Sequence, residues 1–198
     1  MDVAHDAAPW QAWSPGETAA RLEALAVPWG ITAGWALELF VGESWRAHED
    51  LEIAIPDEGF ETAHAALAEL EFWVPVGDRR LRPLEHEPAP ASHQTWGLDR
   101  VERVWRLDVF REPSDGGTWI CRRDTSIRLP YAGLLERTPD GVPFVRPEVV
   151  LLFKAKRVRE KDAADFEAVS PLLGRARREW LRGALLRVHP AHAWLDRL

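Results

Sequence analysis

A short segment of strictly alternating residues, 50–55, constrains the fold more than any other part of this sequence. It places Asp50 and Glu52 on one face and aliphatic residues at positions 51, 53 and 55 on the other. Alternation with a period of two is typical of a strand that buries one face and leaves the other wet. We therefore predict a half-buried β-strand over Asp50–Ile55, with its two carboxylates about 7 Å apart in backbone terms.

A later alternating segment, Arg103–Phe110, predicts a second strand of the same kind, with Asp108 on its polar face beside Arg106. If the two strands pair, Asp50, Glu52 and Asp108 converge on one face of the sheet. Carboxylates that close repel one another unless a cation lies between them, and hard cations such as Mg²⁺ prefer oxygen ligands. A metal site and the wet face of an ordinary amphipathic strand are both compatible with this spacing.

A turn of small residues, Ala33 and Gly34, links a predicted strand, Trp29–Thr32, to a short predicted helix, Trp35–Val41, which Gly42 closes. The free backbone N–H groups at the start of a helix, together with the helix dipole, favour phosphate binding. The sequence therefore predicts a phosphate-binding turn about 16 residues before the acidic strand.

The remaining pattern predicts a mixed α/β core followed by helices. We expect one domain over residues 1–198, with a core at about 14–145 and a helical C-terminal part at about 146–198. A capping box at Ser14 opens the first helix. The other predicted elements are the helices 14–27, 58–70, 147–159, 162–173 and 175–188, the strands 72–76, 80–84 and 118–121, and a loop over 85–92.

Composition excludes several classes of protein. Twenty-five Lys and Arg against 32 Asp and Glu give a formal charge of −7, the wrong sign for a protein that binds the nucleic-acid backbone. The longest apolar run, Val149–Phe153, is far shorter than the roughly 20 residues of a membrane span. The N-terminus lacks the pattern of a secretory signal, and Cys121 has no disulfide partner, so we expect a cytoplasmic location.

Four blocks of the sequence resemble the nucleotidyltransferase superfamily, and most closely its branch of aminoglycoside and lincosamide nucleotidyltransferases. The pattern of that branch is Gly-Gly-Trp-Ala, a short helix, Arg-x-His-x-Asp-hydrophobic-Asp, a strand with a third acid, and a C-terminal helical motif. The matching blocks, in the same order, are Trp29–Gly42, Arg46–Ile53, Trp105–Phe110 and Pro147–Phe166.

The resemblance implies a nucleotidyltransferase-type mixed β-sheet flanked by helices. It implies Mg²⁺, or alternatively Mn²⁺, held by Asp50, Glu52 and Asp108, with Asp108 as third ligand or as general base. The residues expected at the nucleotide are Ala33, Gly34, Trp35, Arg46, His48 and Lys154; for Arg46 and His48, a surface arginine and a satisfied histidine are the alternative. Position alone predicts His93, Gln94 and Trp96 at an acceptor pocket.

These residues predict Mg²⁺-dependent transfer of a nucleoside monophosphate from an NTP to a hydroxyl of a small polar acceptor, aminoglycoside-like or of another kind. Ala33 replaces the usual first Gly and Glu52 the commoner Asp, so an inactive descendant that senses nucleotide or binds a protein is the alternative. Transfer onto a protein side chain is a third hypothesis. We expect no membrane or nucleic-acid partner, and a homodimer stays open.

Overall fold

The computed structural model describes residues 2–86 and 92–198, and within them a nine-stranded mixed sheet forms the centre of the fold. The predicted loop over 85–92 lies largely outside these residues. In chain order, the strands are β1 (Val3–Ala4), β2 (Gly30–Ile31), β3 (Glu52–Pro56), β4 (Leu70–Pro75), β5 (Arg80–Pro83), β6 (Gln94–Asp99), β7 (Trp105–Glu112), β8 (Ser114–Asp115), β9 (Thr118–Ile120), β10 (Arg128–Pro130), β11 (Leu135–Arg137) and β12 (Pro143–Val145). The large sheet has the order β1-β5-β4-β6-β7-β3-β2-β12-β11, and β10, β9 and β8 form a small second sheet.

Helices pack on the large sheet and bury its aliphatic face, so the predicted mixed α/β fold with a helical C-terminal part is confirmed. Among the described residues, no helix combines the length and the apolar character of a membrane span. The α-helices are α1 (Pro15–Arg21), α2 (Ala33–Val41), α3 (Phe60–Ala66), α4 (Tyr131–Leu134), α5 (Pro147–Lys154), α6 (Glu160–Val169) and α7 (Arg175–Val188), with short 3₁₀ turns at Asp57–Gly59, Leu84–His86, Ser170–Leu172 and Ala193–Arg197.

The predicted capping box opens α1, because Ser14 Oγ accepts a hydrogen bond from the Glu17 N–H at 3.2 Å and the Glu17 carboxylate accepts one from the Ser14 N–H at 2.8 Å. The helix ends at Arg21, six residues before the predicted end. Leu22 leaves the helical conformation there and is fully buried in the core. The chain after Arg21 thus forms turns where the sequence pattern predicts more helix.

Three other predicted elements are also longer than the strand or helix that forms. The strand begins at Glu52, so Asp50 lies in the loop that enters it. The helix predicted over 58–70 shortens to a 3₁₀ turn and α3, because Leu70 is already paired in β4. The helix predicted over 147–159 ends at Lys154, and α6 begins at Glu160 because Arg159 caps it. Helix α7 matches its prediction.

Strand β6 was missed by the sequence analysis, which treated His93–Trp96 only as a segment before the next strand. It pairs antiparallel with both β4 and β7. Gly97 interrupts its side-chain pattern, and a Cβ atom added there would lie 2.6 Å from Leu70 Cδ1. The glycine is therefore required by close packing of β6 against β4, and its presence hides the strand in the sequence.

Candidate active site

The two acidic strands pair, which meets the condition for their carboxylates to converge. Strand β3 runs parallel to β7, and Glu52 lies directly opposite Asp108 in the register. Asp50 precedes them in the loop, and all three side chains line one cavity of about 700 Å³. We call this part of the cavity the acid end. Its carboxylates come from positions far apart in sequence, which the sheet brings together.

Two carboxyl groups of the acid end, those of Glu52 and Asp108, are hard to ionise. Burial, together with the charges of Asp50 and Asp108, raises the pKa of Glu52 to about 8, although Lys154 and Lys161 act in the opposite direction. Burial also raises the pKa of Asp108 to about 8, against the hydrogen bond from Gln94. Such groups become fully ionised at neutral pH only when a cation approaches them.

Gln94 anchors one oxygen of the Asp108 carboxyl group, and the Trp96 side chain and the Thr95 backbone also act to lower the pKa of Asp108. Gln94 Nε2 donates a hydrogen bond to Asp108 Oδ2 at 2.7 Å, whereas the buried Oδ1 atom has no hydrogen-bond partner in residues 2–86 and 92–198. The predicted acceptor residues His93, Gln94 and Trp96 all line the cavity, and Trp96 lies opposite Asp108 in the register. A free buried oxygen beside an anchored one suits a metal ligand or a proton acceptor.

The predicted phosphate turn lies beside the acid end, at the start of α2. Ala33 adopts a left-handed conformation with φ 53°, which favours glycine. Gly34 is required by its neighbours: an added Cβ atom would lie 2.0 Å from Arg46 Nη2 and 2.6 Å from His48 Cε1. The side chains of Arg46 and His48 thus cover this turn directly.

Glu38 fixes the loop that leads to the acids, and sequence reasoning missed it. Its Oε1 atom accepts hydrogen bonds from the Trp45 and Arg46 N–H groups at 3.1 and 3.3 Å and lies 3.0 Å from His48 Nε2. His48 stacks on Trp35 at 4.4 Å, and burial lowers the pKa of His48. The signal in the sequence that could have identified Glu38 is a single carboxylate within an otherwise apolar helix.

Trp35 is not brought to the cavity, although Arg46 and His48 are. Its indole N–H donates instead to the Asp50 carbonyl at 3.2 Å. In this position, Trp35 supports the backbone of the acid end from behind. Its predicted contact with nucleotide stays a prediction.

The opposite wall of the cavity comes from α5, α6 and the residues between them. Lys154 Nζ lies 3.0 Å from Asp162 Oδ1 and 2.9 Å from Asp165 Oδ2, and both acids are buried. Arg46 pairs with Asp165 at 3.0 Å and Arg159 with Asp162 at 2.7 Å. Lys154 therefore lines the cavity, but two carboxylates already match its charge, and its predicted contact with nucleotide stays a prediction.

Hydrogen bonds from these cations outweigh burial at the two acids. Burial opposes ionisation of Asp162, yet the hydrogen bonds from Arg159 and Lys154 lower its pKa well below the usual range. For Asp165, those from Arg46 and Lys154 likewise lower the pKa despite burial. We call Lys154, Asp162, Asp165, Arg46 and Arg159 the helix-wall network; its acids were not singled out in the sequence.

The far part of the cavity, which we call the distal end, is lined by residues that the sequence analysis also missed. Along the cavity face of β7, Phe110 and Glu112 follow Asp108 at intervals of about 7 Å. Arg122 pairs with Glu112, and Arg123 donates to the Leu152 and Phe153 carbonyls. The lining there also includes His93, Trp119, Phe153 and Lys156.

Comparisons with known proteins agree on one fold. A family model described as aminoglycoside-2''-adenylyltransferase matches residues 17–89. The crystal structure of the lincosamide antibiotic adenylyltransferase LnuA, lincomycin-bound, superposes with a TM-score of 0.56 at 16% identity, covering 80% of this chain and 95% of that chain. The solution structure of the antibiotic-resistance factor ANT(2'')-Ia gives 0.59 at 16% identity, covering 89% and 91%.

The chain has a nucleotidyltransferase fold. A crystal structure of ANT(2'')-Ia in complex with adenylyl-2''-tobramycin also superposes, with a TM-score of 0.57 at 15% identity over 85% of this chain and 92% of that chain. No curated protein matches this sequence. The resemblance to the aminoglycoside and lincosamide branch of nucleotidyltransferases is confirmed.

Proposed function

We propose that this protein transfers a nucleoside monophosphate from an NTP to a hydroxyl group of a small polar acceptor. The observation that carries the proposal is the register of β3 and β7, which sets Glu52 opposite Asp108 in the lining of a cavity next to the Gly34 turn. The likeness to adenylyltransferases supports the same reaction class.

The acid end fits a divalent cation by its chemistry. Asp50, Glu52 and Asp108 offer only oxygen donors, and Asp108 Oδ1 is without a partner in the described part of the chain. Burial and the neighbouring carboxylates raise the pKa of Glu52 and that of Asp108, so a cation would favour their ionised forms. In that same part, no group of three His, Cys, Asp or Glu side chains is already arranged as a metal site. Mg²⁺, or Mn²⁺, would draw its other ligands from phosphate and water, and when bound would neutralise charge on the triphosphate.

The chain's own residues provide the rest of the reaction. Backbone N–H groups of Ala33 and Gly34, at the start of α2, face the triphosphate. Lys161 acts electrostatically on Glu52, so its ammonium adds positive charge at this end. As the acceptor oxygen bonds to the α-phosphorus, the bond to pyrophosphate breaks and Asp108 takes the hydroxyl proton, with Gln94 holding its other oxygen.

Two measurements test the proposal: pyrophosphate release with a panel of hydroxyl acceptors, and the rise in melting temperature on adding each NTP with Mg²⁺. We expect Asp50→Asn to abolish the Mg²⁺-dependent rise and Asp108→Asn to lower kcat about 10²- to 10⁴-fold while much of the binding is retained. Asp115→Asn, at an exposed position in β8, is the matched control. Turnover that survives Asp50→Asn contradicts the proposal.

The left-handed Ala33 favours the alternative of a descendant that binds nucleotide without turnover, because its Cβ atom sits in the turn where the family has glycine. This alternative predicts a Mg²⁺-dependent rise in melting temperature with no pyrophosphate released for any acceptor. Restored release in Ala33→Gly would identify the Cβ atom as the cause.

A further inference from the structure

The distal end of the cavity carries an excess of positive charge. Its one carboxylate in the described part of the chain, Glu112, is buried and already binds the Arg122 guanidinium and the Trp119 indole N–H. Arg123 and Lys156 make no ion pair with any described residue. The Arg123 guanidinium donates to two backbone carbonyls and lies 4.7 Å from the centre of the Phe153 ring, and Lys156 is exposed. Two cations therefore remain unmatched here.

The positive charge at the distal end affects the pKa of His93, which lines the same cavity. Burial, followed by the charges of Arg122, Arg111, Arg123 and Lys156, lowers the pKa of His93 to about 4. The imidazole is therefore neutral at pH 7 and leaves the balance of charge unchanged. By contrast, Lys154 and Lys161 act on Glu52, which assigns those two cations to the acid end.

Aromatic faces accompany the positive charge. The Arg122 guanidinium carbon lies 4.3 Å from the centre of the Phe153 ring and 5.9 Å from that of Phe110. Trp119 packs edge-on against Phe153 at 6.1 Å, and His93 against Phe110 at 5.4 Å. Flat apolar walls beside guanidinium groups suit a compact apolar or planar body that carries an anionic group.

We propose that the acceptor is a hydroxyl compound bearing a carboxylate or phosphate group, which Arg122, Arg123 and Lys156 bind at the distal end. The inference rests on the proposed function and specifies its acceptor. It separates this chain from ANT(2'')-Ia, whose structure holds adenylylated tobramycin, because an acceptor with several ammonium groups would meet like charges here. The positive end lies one or two side-chain intervals along β7 from Asp108, which leaves room for the hydroxyl at the acid end.

Three para-substituted benzyl alcohols with an anionic, a neutral or a cationic second group test the inference: 4-(hydroxymethyl)benzoate, 1,4-benzenedimethanol and 4-(hydroxymethyl)benzylamine. The rate of the diol is halved, because it offers two equivalent hydroxyl groups. With saturating NTP and Mg²⁺, we expect kcat/KM for pyrophosphate release to fall in that order, with at least a tenfold difference between the first and the last. 4-(Hydroxymethyl)phenyl phosphate distinguishes phosphate from carboxylate as the preferred anion. Equal rates for the three, or a preference for the amine or for tobramycin, would overturn the inference.

Variants locate the preference within the cavity. Lys156→Gln removes an exposed cation and is expected to raise KM about fivefold for the benzoate but not for the neutral diol. Lys161→Gln, at the acid end, is expected to raise KM for the NTP instead, and Arg182→Gln, exposed on α7, is the surface control. A Lys156→Gln variant that changes only KM for the NTP would assign this residue to the triphosphate and overturn the inference.

A binding measurement separates this inference from the proposed function. Calorimetric titration of wild type and Lys156→Gln with the benzoate and the amine, without nucleotide, reads the charge preference directly. Tighter binding of the benzoate, weakened in Lys156→Gln, supports the inference even where no acceptor releases pyrophosphate, an outcome that contradicts only the proposed function. Binding of the amine as tight as that of the benzoate overturns the inference whatever the turnover.

Discussion

The two walls of the cavity use the same residue types in opposite ways. On the strand wall, Asp50, Glu52 and Asp108 form no ion pair with any residue in 2–86 or 92–198. On the helix wall, Asp162 and Asp165 each hold two cations. The pKa of Asp108 and that of Glu52 rise, whereas those of the helix-wall acids fall. The strand wall therefore needs a bound cation to balance its carboxylates. On the helix wall, the side chains of the protein already balance one another's charge.

The largest expected difference between the walls is in stability. Asp165→Asn leaves Arg46 and Lys154 short of a buried partner, so we expect the free energy of unfolding to fall by about 3 kcal/mol or more. Asp108→Asn removes a charge that burial already disfavours, and we expect no loss of stability. Urea unfolding of both variants measures the difference; equal losses would mean that the two walls do not differ as described.

Gly34 couples the walls, because Arg46 of the helix-wall network lies against it. Gly34→Ala would drive a Cβ atom into Arg46 and His48, both fixed by other partners, and we expect a loss of about 1–3 kcal/mol together with weaker NTP binding. Gly133→Ala is the control, since its added Cβ atom meets only Pro130 Cγ at 3.9 Å. Equal stability of the two variants would show that Arg46 and His48 move freely.

Acid should weaken the helix wall first. The pKa of Asp162 in the folded chain lies below its ordinary value of 3.8, so the unfolded chain binds its proton at higher pH than the folded chain does. The stabilisation is complete above about pH 4 and is lost as the pH falls further, with a slope on the order of 1 kcal/mol per pH unit. Urea titrations between pH 5 and pH 2 should show that the free energy of unfolding depends less steeply on pH in Asp162→Asn than in wild type. An unchanged dependence would mean that other groups cause the sensitivity to acid.

Ala33→Gly is expected to have the smallest effect. Relief of the left-handed backbone gains about 1–2 kcal/mol, which the greater freedom of an unfolded glycine offsets by about 0.5–1 kcal/mol. We expect a net gain of about 0.5 kcal/mol in thermal unfolding. A loss of stability would show that the turn depends on the Ala33 methyl group.

The strand wall was predictable from sequence, whereas the helix wall and the distal end were not. The alternation of polar and apolar residues around Glu52 and Asp108 predicts which face of the sheet each side chain occupies. The roles of Asp165 and Arg123 depend on partners more than 25 positions away, Arg46 for one and the end of α5 for the other. Gly97 hid a whole strand, because a residue chosen for close packing looks like a break in the pattern.

The parallel pairing of β3 with β7 also governs when the acid end comes into being. Glu52 and Asp108 are 56 positions apart, and α3 and three strands fold between them. Closing so long a loop costs entropy before the pairing contributes anything, so contacts of this kind form late in folding. The turn at Gly34 and the helix after it are local and can form early. We therefore expect the chain to complete this part of its scaffold before it brings the three carboxyl groups together.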